Sequence, residues 1–195
     1  IFQINNTNLF FNNILMVLNI SKDLFVRTLL LITSEAIIIN KSASLGDNFL
    51  ASSQVILVVF GFIAYGLDGF AHAAETLVGQ AIGKKNKNDL HQIIVNTFIL
   101  GFMFSLLFSV IIYFFAFNFF QIISPIEEVL KINEDLFFIV VLLPLAGVWP
   151  FLIDGFFVGS ADSKSMRNAT ILAFIVFFIL VNLVFNDNQS LKMLW

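Results

Sequence analysis

The stretch "FLASSQVILVVFGFIAYGLDGFAHAAETLVGQAIG", residues 49–83, runs for 35 residues without a Lys or Arg. Roughly 20 mainly apolar residues span a bilayer as a helix, so this segment has length to spare. Four further segments reach that length, 24–45, 90–126, 136–161 and 168–186. A lipid environment offers backbone groups no water, and apolar segments of this kind satisfy their own amides as α-helices. The expected fold is therefore an all-α, polytopic membrane helix bundle with five spans.

Composition leads to the same place. Of 195 residues, 59% are hydrophobic and 12% charged, against roughly 25% charged in ordinary soluble domains. A soluble surface cannot be covered with so few charges. Net charge is -3 and the basic residues are scattered, which leaves no electrostatic footprint for nucleic acid. There is no Cys, which excludes disulfides, zinc-thiolate sites and cysteine catalysis. No nucleophile elbow, phosphate loop or metal-ligand spacing is present, so neither an enzyme nor a bound cofactor or metal is expected. "GQAIGKKN" (79–86) has the wrong glycine spacing for a phosphate loop and no preceding strand.

Residues 1–21 mix apolar residues with Asn and read as an interfacial helix leading into a membrane region over 22–195. The chain starts without an initiator Met and stops as a new apolar stretch begins, so a fragment is expected. Segment 24–45 is the least apolar span, since it carries Arg27, Glu35 and Lys41. Basic residues alternate between the two ends of the spans. Lys22, Arg27, Lys84, Lys85, Lys87, Lys164 and Arg167 fall on one side, and only Lys41, Lys131 and Lys192 on the other. Lys and Arg are retained on the cytoplasmic side, so the richer side is expected in the cytoplasm of a bacterial inner-membrane protein.

Charge within the hydrocarbon costs at least about 2.5 kcal/mol per side chain, so acids there need a partner, a cavity or a proton. Glu35, Asp68, Glu75 and Asp154 are the acids within spans, and they are the candidates for coupling to an ion or proton. Glu35 falls near mid-span by counting, and Asp68 and Asp154 toward the cytoplasmic third. Gln54, Gly61, Tyr65, Asp68, His72, Glu75 and Gly79 recur at helical spacing and form one polar stripe. One reading is a helix-packing seam. The other is a water-lined face on which Gln54, Tyr65 and His72 border a cavity and the acids exchange protons, and the number of ionisable groups favours it. In 136–161, Pro144 and Pro150 remove two backbone donors and free the carbonyls of Val140 and Ala146. Pro150 and Asp154 lie one turn apart, which makes Pro150 a further cavity candidate. "LDGF" (67–70) and "IDGF" (153–156) form a weak internal echo.

"LDGFAHAAETLVGQAIGKKNK" and "LPLAGVWPFLIDGFFVGSADSKSMRNA" resemble the C-terminal lobe of the multidrug and toxic compound extrusion (MATE) transporters, specifically their DinF-like branch. The resemblance runs from about Lys22 onward. It implies a twelve-helix fold of two six-helix lobes, of which this chain supplies five of the six helices of the second. It also implies a secondary antiporter that exports small organic, often cationic compounds in exchange for H+ or Na+. Glu35, Asp68 and Asp154 would take the places of the family's acids on helices seven, eight and ten, Glu35 by region more than by motif. The missing N-terminal lobe, membrane lipid and the organic substrate are the implied partners, and this half alone is not expected to transport. A lipid-linked oligosaccharide flippase of the same superfamily is expected to carry more basic residues in its cavity. An intramembrane aspartyl protease built on Asp68 and Asp154 would need a Gly-x-Gly-Asp pattern, and neither acid has one.

Overall fold

The computed structural model describes residues 6–188 and 191–195. The first five residues of the expected interfacial segment lie outside them. Six helices follow one another: α1 (Asn6–Leu45), α2 (Asp47–Gly83), α3 (Lys87–Ile123), α4 (Glu127–Asp135), α5 (Phe137–Gly159) and α6 (Ser163–Asn188), with a short 3-10 turn at Leu191–Met193. Among the described residues there is no strand.

Helices α2, α3, α5 and α6 are long and apolar enough to cross a membrane. Helix α1, whose apolar half carries Arg27, Glu35 and Lys41, is not among these four. It continues unbroken from the Asn-rich segment into the expected first span, so no hinge separates them near residue 21. Beyond α3, the polar residues 127–135 form a separate short helix, α4, which buries Val129 and Asn133. Helix α5 passes through Pro144 and Pro150 without interruption. Pro144 is buried and Pro150 is exposed.

The helix ends follow from local chemistry. Gly46 alone links α1 to α2, at φ 124, in the left-handed region where a side chain is disfavoured. The α2–α3 and α5–α6 turns share one design. Lys85 (φ 54) and Ala161 (φ 56) take left-handed conformations, and the next backbone N–H reaches back to Ala81 and Phe157 respectively, as in Schellman caps. Asn86 then accepts from the N–H groups of Asn88 and Asp89, and Asp162 accepts from that of Ser165.

The hydrogen bonds from Ser165 hold the exposed Asp162 carboxyl below its ordinary range. A carboxyl with a depressed folded-state pKa stabilises above its unfolded value, about 3.9, and loses that contribution as pH falls through the folded value. The protection of the Ser165 amide, taken relative to its intrinsic exchange rate at each pH, should therefore fall as the pH drops below about 4. In Asp162→Asn, which keeps a capping carbonyl, that acid dependence should vanish.

Helix α2 is central, packed on α1, α3, α4 and α5. Its buried residues Val55, Ile56, Val59, Ile63 and Leu67 meet Val140, Val148 and Leu152 of α5. Polar pairs fasten the end near Gly46. Ser42 and Ser53 share a buried hydrogen bond at 2.7 Å, Ser52 donates to the buried Asn133 side chain, and Asn48 donates to Glu128.

The closest helix contact lies at the other end. A Cβ on Gly155 would sit 2.3 Å from the Ala71 carbonyl oxygen, one on Gly159 would sit 2.5 Å from that of Glu75, and one on Gly79 would sit 3.3 Å from that of Gly159. The residue numbers rise together along both helices, so α2 and α5 run parallel with their backbones nearly touching. Small residues four apart permit such contact between apolar helices.

Candidate functional site: a charge cluster between three helices

The α2–α5 register fixes the depth of the acids. Ala71 lies against Gly155 and Glu75 against Gly159, which sets Asp68 level with Leu152 and Asp154 level with Phe70. At about 1.5 Å per residue, the two aspartates are then displaced by roughly 3 Å along the bundle. The two Asp-Gly-Phe sequences thus stand side by side on parallel helices.

Arg27 of α1 meets them there. Its guanidinium pairs directly with the Asp154 carboxylate, the two side chains being 26% and 29% exposed. Asp68, itself half-buried, stands at nearly the same depth on α2. One cation from α1 therefore pairs with a carboxylate of α5, and a second carboxylate on α2 lies at nearly the same level. One turn before Arg27, the buried Asp23 pairs with Arg167 of α6 at 2.6 Å and accepts from the Ser163 hydroxyl at 2.8 Å.

The polar stripe of α2 divides between two surroundings. Asp68 is half-buried at the level of Asp154, and Gly79 abuts α5. Gln54, Tyr65 and His72 are exposed, on a face that no other helix covers among the described residues, Tyr65 being 81% exposed. His72 meets Glu75 at 3.4 Å on that face. Glu35 and Pro150 are exposed, away from the cluster. The structure thus sets Asp68 and Asp154 at nearly one depth, with Glu35 exposed on α1 and Glu75 beside His72.

Sequence reasoning missed Arg27 as a partner, counting it instead as a flanking basic residue. The signal was there. Arg27 sits three residues inside its span on the side toward which Asp68 and Asp154 were placed, and an acid in lipid calls for a cation at its own depth. Asp23 was missed because it precedes the apolar segment. Gly155 and Gly159 form a readable Gly-x-x-x-Gly.

Long apolar helices gathered around charges that pair from different helices define a polytopic, all-helical membrane protein. Its family follows from the sequence match: the chain belongs to the MatE family, whose sequence model matches residues 24–184. It is 30% identical over 161 residues to the DNA damage-inducible protein F of Escherichia coli (strain K12). That alignment takes in 83% of this chain and 35% of the relative, so the chain spans about a third of that protein's length. The DinF-like resemblance read from the two Asp-Gly-Phe segments is thereby supported. No solved structure gives a significant match.

Proposed function

We propose that this chain forms most of one lobe of a secondary antiporter that exports small organic, often cationic compounds in exchange for H+ or Na+. The observation that carries this reading is the Arg27–Asp68–Asp154 cluster. Arg27 pairs with Asp154, Asp68 lies at nearly the same depth, and charge on three helices of an apolar bundle is costly, so its presence points to binding or movement. Exchange requires only that substrate and ion differ in affinity for the two facings of the protein.

The uncovered face of α2, with Gln54, Tyr65 and His72, is too polar to suit lipid. It would line a central cavity against an N-terminal lobe. The basic turns Lys84–Lys87 and Lys164–Arg167 would lie in the cytoplasm of a bacterial inner-membrane protein.

Asp68→Asn in the full-length protein tests this reading. Efflux of ethidium from cells should fall at least about tenfold, an effect of about 1.4 kcal/mol, with protein level in the membrane unchanged. Undiminished efflux at normal abundance would remove Asp68 from the transport path.

A further inference from the structure

Helices α1 and α6 lie side by side and run in the same direction. Asp23 meets Ser163 and Arg167 at one end, and Asn40 and Lys41 come level with Asn182 toward the other. There, close to Gly46, a cavity of about 310 Å³ opens between the two helices, lined by Ile37, Asn40, Lys41, Ser44, Phe178 and Asn182. That volume stands at the lower end of the range for small-molecule sites, about 300–1,000 Å³.

The lining changes character with depth, in the same sense on both walls. Ile37 and Phe178 stand deeper along the helices, and Lys41, Ser44 and Asn182 follow one or two turns nearer the helix ends. One turn further in, Phe174 stacks on Phe178 with ring centroids 6.2 Å apart, which prolongs the apolar wall of α6. At the same depth on α1, the hydroxyls of Thr33 and Ser34 are spent on the carbonyls of Leu29 and Leu30. The mouth of the groove, by contrast, keeps hydrogen-bonding capacity. Asn182 donates one amide hydrogen to the Phe178 carbonyl at 2.8 Å and retains a second. Lys41 carries three donors, enough for an anionic oxygen in addition to a partner within the protein. Among the described residues, Lys41 is the one charged group in the lining.

We propose that this groove binds one anionic glycerophospholipid, its phosphodiester at Lys41 and Asn182 and an acyl chain laid inward over Ile37, Phe178 and Phe174. Such a molecule carries charge at one end and hydrocarbon at the other, in the order in which the groove presents its cation and its apolar floor. Lys41 precedes the end of α1 at Leu45 by four residues, about 6 Å, a depth from which a lysine reaches the headgroup layer. Basic pockets between transmembrane helices take anionic headgroups in the same way. Beside the groove, α6 exposes Ile175, Ile179 and Leu183, an apolar flank suited to the surrounding lipid chains.

Two rival occupants fit less well. Free phosphate satisfies Lys41 and leaves the apolar floor uncovered, and a zwitterionic lipid brings a cation of its own toward the lysine. A bound anionic lipid would join α1 to α6 at the end opposite the Asp23–Arg167 pair, so the two helices would be fastened at both ends. This site is independent of the antiporter reading and stands whether or not the protein exports anything.

The test equilibrates the full-length protein in detergent with radiolabelled phosphatidylglycerol and counts the lipid retained after gel filtration. Lys41→Gln should weaken retention at least about tenfold, because a hydrogen bond to a charged group is lost. Lys41→Arg should keep it, and so should Lys131→Gln, which removes an exposed lysine outside the groove. Unlabelled phosphatidylglycerol should displace the label, whereas phosphatidylcholine and excess inorganic phosphate should not. Retention that survives Lys41→Gln overturns the proposal. Displacement by inorganic phosphate would mark a site for the free anion, and equal displacement by phosphatidylcholine a site indifferent to charge, and each overturns it too. A photoactivatable phosphatidylglycerol on the unmutated protein decides the matter should Lys41→Gln fail to fold. Adducts are expected within residues 37–44 and 174–182. Adducts confined to other segments, as when another part of the full-length protein covers the groove, would refute the site.

Discussion

Replacing Gly155 with Val drives α2 and α5 apart and leaves little folded protein in the membrane. Even the first carbon of a side chain would lie 2.3 Å from the Ala71 carbonyl oxygen and 3.0 Å from its carbon. Both atoms belong to a helix backbone, which has no rotamer by which to escape. Overpacking among side chains costs about 1–3 kcal/mol, and a clash with backbone exceeds what side-chain adjustment absorbs, so at least about 3 kcal/mol is expected. The acids suffer as well, because the same contact sets Asp68 and Asp154 at one depth. Gly69→Ala is the control. Nothing lies within 4 Å of a Cβ there, and Ala favours a helix interior by up to about 1 kcal/mol over Gly. Thermal unfolding of the full-length protein in detergent should show a collapse for the first and no loss for the second. Equal stability of the two would mean that the helices do not touch at Gly155.

Arg167→Ala should produce the next largest loss. Asp23 is 3% exposed, and its partners are Arg167 at 2.6 Å and the Ser163 hydroxyl at 2.8 Å. Breaking a buried ion pair by removing one member costs about 3–5 kcal/mol, because the surviving charge remains desolvated. Here the lower end applies. Arg167 is 28% exposed, so water can follow the truncated side chain, and Ser163 keeps one hydrogen bond in place. The double variant Asp23→Asn/Arg167→Met removes both charges and should regain most of the loss. A double variant no better than Arg167→Ala would show that the arginine acts through packing instead of charge.

The architecture was readable because its cause is compositional. A chain with 59% hydrophobic residues and five long apolar segments has few folds open to it. What periodicity does not encode is which helices become neighbours. The stripe from Gln54 to Gly79 was visible as a face, yet nothing in its spacing says that Asp68 is half-buried while Tyr65 stays uncovered. One hint of adjacency did exist. The echo of "LDGF" and "IDGF" marks two helices that pack in parallel with those segments alongside, and four matching residues were too few to show that without coordinates.

The prolines illustrate a different limit. Loss of a donor at Pro144 and Pro150 is certain from chemistry, but whether the helix breaks depends on its neighbours. Pro144 is packed against them, and α5 runs through both positions. Arg27 was hidden by its own usefulness elsewhere, since a basic residue near a span end already had an explanation in the orientation rule.

Helix α1 is continuous from Asn6 to Leu45, and its charged anchor points, Asp23 and Arg27, lie near the middle of its length. That makes it a lever with its fulcrum at the ion pairs. From Arg27 to Asn6 the arm is about 32 Å, so a tilt of roughly 10° sweeps its tip through about 5 Å. A tilt about the guanidinium would thus be felt most at a place far from it.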